Sequence, residues 1–250
     1  MPDFRVFCLP PSPAPATLVL SPGESHHLVG VNRARPGDPV VAFDGRGHEW
    51  GCLLDSARRD AAELRVVSAH TAPPRGPALT LGQALPKGGG MEGVVRKATE
   101  LGAARIVPLI TARTEVRLDE ERSARKAEKW RTAALEAAKQ CGNPWLPEIE
   151  PVRELAPYLA SAPEELKLIA GLHPGALSLK AALAAFGAAH GRPPASVLCL
   201  IGPEGDFTPG EMTQAGAAGF AAVTLGPLVL RCETAATCVL GVRGHELRPA

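Results

Sequence analysis

Leu198-Cys-Leu-Ile-Gly-Pro-Glu-Gly-Asp-Phe-Thr-Pro-Gly-Glu211 reads as a buried strand, a glycine loop and a helix start. Residues 197–201 form an apolar run of strand length, stopped by Gly202-Pro203. Thr208 stands three residues before Glu211 with Pro209 between them, the pattern of a capping box with proline at the first helical position. The loop 202–207 is thus expected between the C-terminal end of a strand and the N-terminus of a helix, the place where open α/β sheets bind ligands. Its glycines allow backbone amides close to a ligand, and Glu204 adds a fixed charge.

Two further units repeat this plan. Ala222-Val-Thr-Leu225 reads as a strand broken by Gly226-Pro227. Leu228-Val-Leu230 then leads to Arg231-Cys-Glu-Thr-Ala235, where an alanine-rich helix begins and runs toward Arg243. Upstream, Leu168-Ile-Ala-Gly-Leu172 is followed by His173-Pro-Gly175 and an Ala/Leu helix. Three strand–loop–helix units in succession put three loops on one edge of a sheet.

The preceding chain divides in two. Residues 1–72 read as mostly β: strands over 4–9, 17–20, 40–43, 49–54 and 64–68, a short helix within 24–33, and Asp44-Gly-Arg-Gly47 as a hairpin turn. Thr71-Ala-Pro-Pro-Arg-Gly-Pro77 is the clearest linker and marks the domain boundary. From residue 78 strands alternate with helices: strand 79–85, helix 91–101 closed by Gly102, strand 106–110, and a long helix 119–141. Residues 73–250 are therefore expected to form an α/β domain with a mostly parallel sheet.

The 250 residues carry a net charge of +1, so any nucleic-acid surface must be local. No apolar run approaches the ~18 residues of a membrane span, and the N-terminus lacks the apolar core of a signal peptide. Six cysteines without a Cys-x-x-Cys pair read as free thiols in a reducing cytoplasm, and the histidines lack metal-ligand spacing, so no metal is expected.

Gly88-Gly-Gly-Met-Glu-Gly93 matches the dinucleotide-binding pattern G-x-G-x-x-G, with Glu115 roughly 20 residues on. A nicotinamide enzyme using that loop is one alternative; a flexible loop or a substrate-side contact is the other reading. Acidic and basic residues interleave over 119–131 as on a solvated helix face. Arg113 differs, because it follows strand 106–110 and belongs to a loop at the ligand-binding edge, where phosphate contact is plausible. Arg5, His27, Arg33, Lys87 and Arg113 are the candidate contacts for a nucleic acid, although Arg5 and Arg33 taken alone read as surface charges.

Leu200-Ile-Gly-Pro-Glu-Gly205 with Phe207, and Leu225-Gly-Pro-Leu-Val-Leu-Arg-Cys-Glu-Thr-Ala235, closely resemble the RsmE family, SPOUT-superfamily methyltransferases acting on N3 of a uridine in 16S ribosomal RNA. The resemblance extends to Lys97-Ala-Thr-Glu-Leu-Gly102, Glu136-Ala-Ala-Lys-Gln140, Pro147-Glu-Ile149 and His27-Leu-Val-Gly-Val-Asn-Arg33, in order along nearly the whole chain. It implies an N-terminal PUA-like barrel that helps to hold RNA and a C-terminal SPOUT domain with a deep trefoil knot. It also implies S-adenosylmethionine as cofactor, a homodimer, the small ribosomal subunit as partner, and uridine 1498 as target. The cofactor pocket it implies consists of Leu172 and His173; Ile201, Gly202 and Gly205; and Leu225, Gly226, Leu228, Leu230 and Arg231.

The mechanism expected on this basis has Arg231 stabilising negative charge on a uracil oxygen, with Glu233 or Glu204 orienting the base or accepting its N3 proton. Either glutamate could instead simply shape its loop by binding backbone amides. A non-catalytic RNA-binding or assembly factor is a further alternative, opposed by the intact glycine loops. Three residues depart from the family pattern: Asn143 replaces an arginine, Asp206 a glycine, and Asn32 a leucine.

Overall fold

The computed structural model describes residues 4–10, 15–73, 76–116, 119–171 and 173–246. Contacts divide the chain into two compact units, Met1–Pro74 with Leu135–Leu146, and Arg75–Ala134 with Pro147–Ala250.

The first unit holds β1 (Phe4–Phe7), β2 (Thr17–Val19), β3 (Pro39–Phe43), β4 (His48–Ser56) and β5 (Glu63–Thr71), with a short helix α1 (Pro22–Ser25). The strands make one PUA-like sheet in the order β1-β3-β4-β5-β2. Its pairs are antiparallel except β1 with β3. Trp50, Cys52 and Leu54 of β4 alternate inward, as a strand with one buried face requires. The helix expected within 24–33 starts earlier and changes character. Ser21 accepts the Glu24 amide, Pro22 follows the cap, and from His26 to Val31 the turns widen to a π-helix. Arg33 then takes a positive φ of 60°. Buried Ser25 is fully used: its hydroxyl donates to Leu20 O (3.3 Å) and accepts the Ala62 amide (2.9 Å). The hairpin turn 44–47 packs on the stretch after the long helix. A Cβ on Gly47 would stand 2.3 Å from the Trp145 ring, and φ there is +92°, so the site admits only glycine.

The second unit contains β6 (Ala78–Ala84), α2 (Met91–Glu100), β7 (Arg105–Ile110), most of α3 (Glu120–Cys141), β8 (Glu148–Ile149), β9 (Arg153–Glu154), α4 (Leu155–Ser161) and β10 (Leu166–Ala170). These are followed by β11 (Leu177–Ser178), α5 (Leu179–His190), β12 (Ser196–Ile201), α6 (Pro209–Ala217), β13 (Ala221–Thr224) and α7 (Cys232–Glu246). The sheet runs β11-β13-β10-β12-β6-β7-β8, with β9 also on β7, and every pair is parallel.

The decisive strand behaves as its composition requires. Val197, Cys199 and Ile201 of β12 enter the larger core, with Met91, Trp130, Phe186 and Val239. Leu198 and Leu200 enter the core on the opposite face, with Leu155, Tyr158 and Phe220. A strand buried on both faces is apolar throughout, which is why no alternation marks it in the sequence. Because the strands are parallel, β6, β7, β10, β12 and β13 all end at one edge. Among the described residues, no helix is long and apolar enough to cross a membrane.

Candidate functional site

At that edge lies a cavity of roughly 660 Å³, within the usual size range of small-molecule sites. Four stretches line it. The sequence singled out three of the loops: residues 202–206 after β12, residues 225–235 around the start of α7, and the end of β10, where Ala170 and Gly171 contribute. The fourth is Pro86, Lys87, Gly88 and Gly90, the glycine loop that matched a dinucleotide pattern.

Loop 202–206 is held by identifiable contacts. The Asp206 amide donates to Pro203 O at 2.9 Å, and Asp206 adopts φ 60°. This conformation explains the glycine common at this position in the family pattern; aspartate is one of the few other residues that tolerate it. The Asp206 carboxylate accepts the Phe207 amide at 2.8 Å. Thr208 and Glu211 form the expected capping box, with the Glu211 amide donating to Thr208 Oγ1 (3.2 Å) and the Thr208 amide to Glu211 Oε2 (2.8 Å).

The second loop is held by Thr224, whose Oγ1 donates to Gly226 O (3.0 Å) and accepts the Gly226 amide (3.3 Å). Gly226 has φ 129°, a backbone only glycine adopts readily. Leu228 and Val229 beyond it are 72% and 84% exposed. Arg231 stands immediately before α7, with the Ala235 amide donating to its carbonyl at 2.8 Å. Glu233 lies in the first turn.

Ile201, Gly202, Gly205, Leu225, Gly226, Leu228, Leu230 and Arg231 all line the cavity, as do Glu204 and Glu233. Leu172 lies outside the described residues. His173 is not among the lining residues; its ring lies 3.2 Å from where a Cβ on Gly171 would stand. Asp206, Val229, Cys232 and the glycines 88 and 90 also line the cavity; Asp206 belongs to the loop the sequence places at the ligand-binding edge and the two glycines to the loop it offers as a substrate-side contact, while Val229 and Cys232 carried no such mark. For Asp206 the usable signal was its place inside the glycine loop after β12.

The two glutamates differ. Glu204 Oε1 accepts the Lys87 amide at 3.0 Å, which joins the glycine loop to the 202–206 loop. The Glu233 carboxylate has no partner among the described residues, and neither does the Arg231 guanidinium. Cys232, buried between them, reports the local field. Burial first, then the charges of Glu204, Glu233 and Asp206, push its thiol up to about 11, so it is not a thiolate nucleophile at neutral pH.

Of the candidate RNA contacts, Lys87 pairs with Glu115 (2.6 Å), which raises its pKa. Arg113 donates to Gly205 O. Arg5 pairs with Glu49 (2.7 Å) and lies 4.6 Å from the Phe43 ring centre, leaving its side chain 14% exposed. His27 Nδ1 lies 3.5 Å from Asn32 Nδ2, and Arg33 is exposed. Asn143 is buried, and its Oδ1 accepts the Trp145 amide at 3.1 Å, so this departure is an internal brace. Among the described residues, no group of three or more potential ligands could hold a metal.

Comparison with known proteins agrees with this geometry. Residues 74–243 match the RNA methyltransferase domain family and residues 20–67 the RNA methyltransferase PUA domain family. The ribosomal RNA small subunit methyltransferase E of Synechocystis is 34% identical over 95% of this chain and 76% of its own length. A putative methyltransferase of Legionella pneumophila, solved with bound S-adenosylmethionine, superposes with TM-score 0.86 at 32% identity, covering 97% of both chains. The ribosomal RNA small subunit methyltransferase E of Neisseria gonorrhoeae, also solved with that cofactor, gives 0.84 at 28% identity over 97% of both.

Proposed function

The chain belongs to the ribosomal RNA small subunit methyltransferase E family, and on that premise we propose that it methylates N3 of one uridine in 16S ribosomal RNA, uridine 1498 by the sequence resemblance, with S-adenosylmethionine as donor. The observation that carries the reading is the cavity at the C-terminal edge of the parallel sheet, lined by Arg231 and Glu233, whose charged groups have no partner among the described residues.

The lining fits the cofactor. Ile201, Leu225, Leu228 and Leu230 offer apolar surface for an adenosine, and the glycine loops offer close backbone. Three acids, Glu204, Asp206 and Glu233, against the two cations Lys87 and Arg231 leave the lining net negative, which favours a sulfonium cation. When bound there, the cofactor supplies an electrophilic methyl group.

The chain's own residues must expose the pairing edge of the base and favour loss of the weakly acidic N3 proton. Arg231, at the positive end of α7, is placed to stabilise negative charge on a uracil oxygen. Glu233 is the proton acceptor, directly or through water, because its carboxylate lines the cavity and has no partner among the described residues. Glu204, held by the Lys87 amide, shapes the loop instead. The first unit contributes RNA binding, with Arg33 and His27 as contacts. The reading includes a knotted C-terminal domain and two copies associating through a face containing Leu228 and Val229, whose exposure beside the cavity calls for a cover.

The test is transfer of labelled methyl from S-adenosylmethionine to unmodified small subunits, with deproteinised 16S RNA alongside. Label at N3 of a single uridine supports the reading, and the ratio of the two substrates reports whether the assembled particle is recognised. Cofactor binding without label on either would favour a non-catalytic RNA-binding role. Light scattering tests the dimer.

A further inference from the structure

Four contacts tie the 204–211 segment and its neighbours together. The Lys87 amide donates to Glu204 Oε1, and the Lys87 ammonium reaches Glu115, three residues beyond Ala112. The Ala112 amide donates to Glu211 Oε1 at 2.8 Å, while the other oxygen of that carboxylate completes the capping box. Arg113 donates from Nη1 to the Gly205 carbonyl. Its stem lies against the same glycine: a Cβ on Gly205 would stand 3.1 Å from Arg113 Cδ and 3.3 Å from its Cβ.

Arg113 is exposed, and a side chain serving only as an RNA contact would need no tie to the cavity wall. Arg113 instead lays its stem across a glycine of the cavity wall and closes one donor on that wall's carbonyl. A charged donor on a backbone oxygen is a strong, directional restraint, and Gly205 leaves the stem the room it needs. We propose that Arg113 is a positioning residue for the cofactor loop: it fixes Gly205, and with it the neighbouring acids Glu204 and Asp206, in the arrangement that receives the sulfonium cofactor, and it is not an RNA contact. This rests on the functional reading above.

The test compares wild type with Arg113→Ala, Arg113→Met and Arg113→Lys. Cofactor affinity is measured by calorimetry without RNA, and RNA affinity over a salt series. Arg113→Ala is expected to weaken cofactor binding about tenfold, equivalent to ~1.4 kcal/mol, and to raise KM for the cofactor with kcat little changed. Arg113→Met keeps the stem and removes the donors, so it should show most of the loss while remaining folded. Arg113→Lys, which retains a charged donor, should recover part of it. The slope of log RNA affinity against log salt should not move. Unchanged cofactor affinity in the Met variant, or a salt slope reduced by about one unit, overturns the inference alone. A wild-type protein that binds no S-adenosylmethionine overturns the functional reading and this inference with it.

Discussion

The two edges of the parallel sheet use charge in opposite ways. Where the strands begin, ionised groups are matched. Arg105 bonds Glu150 (2.7 Å) and Glu164, and Glu165 takes both Arg192 and the Ala195 amide. Glu164 is buried, and its charge, after burial itself, helps to raise the Tyr158 hydroxyl well above its ordinary range. Where the strands end, Lys87 pairs with Glu115 and Arg113 bonds the Gly205 carbonyl, but Arg231 and Glu233 line the cavity with no partner among the described residues, on loops bent through glycines. At the first edge the charges close on one another; at the second some tie the loops together while Arg231 and Glu233 are left to the cavity. The difference follows from β–α connectivity: helix N-termini, with unused amides, gather at the strand ends, so polar ligands are favoured there.

The sharpest way to break this contrast is Arg231→Ala. Methyl transfer should fall by about 10²–10³, the usual cost of removing a donor that meets developing negative charge, with the unfolding midpoint unchanged. Full activity in a folded variant would remove Arg231 from the scheme. Glu233→Gln should lose about 10²-fold, and Glu204→Gln distinctly less, if Glu233 is the proton acceptor; single-turnover rates compare the two, and the reverse order would exchange their roles.

At the other edge Glu164→Ala leaves Arg105 without one of its two carboxylates. It should cost about 2–3 kcal/mol in urea unfolding, while rate per folded molecule stays within a fewfold of wild type. A large loss of rate at unchanged stability would show that the closed edge also acts on the site. Cys232→Ser should change turnover by no more than a fewfold, since the thiol is protonated at neutral pH; a dead but folded variant would require a role for sulfur.

The smallest effect concerns Glu165. Its hydrogen bond from Arg192, then that from the Ala195 amide, lowers its pKa from the ordinary 4.5 to about 2. A lowered folded-state pKa gives stability that is present above the unfolded value and lost as pH falls from about 4.5 toward 2. The carboxylate is exposed, so the contribution is small. Melting midpoints of wild type and Glu165→Gln should differ slightly at pH 6 and converge near pH 2; a gap that persists at pH 2 would mean that the substitution acts by something other than charge.

Much of the site is legible in the amino-acid sequence, because its signals are local. The capping box of Thr208 and Glu211, the Gly-Pro breaks after β12 and β13, and the helix start at residue 232 each depend on neighbours within a few residues. Less legible is the role of residues 86–90. The pattern fits a dinucleotide loop, yet the segment joins the cavity through the Lys87 amide and Glu204, 117 residues apart.

The sequence by itself determined the alternation of strands and helices, the glycine loops at strand ends and, through its paired motifs, the family. These rest on residue-scale periodicity, backbone freedom and capping, which act over one turn or one pleat. Only the tertiary structure decided that Arg5 is enclosed by Glu49 and Phe43, that Asn143 is an internal brace, that Asp206 stands in a left-handed turn, and that Arg113 reaches Gly205. Each depends on which distant segments the strand order brings side by side. A free side chain and a committed one have the same letter in the sequence, and only packing separates them.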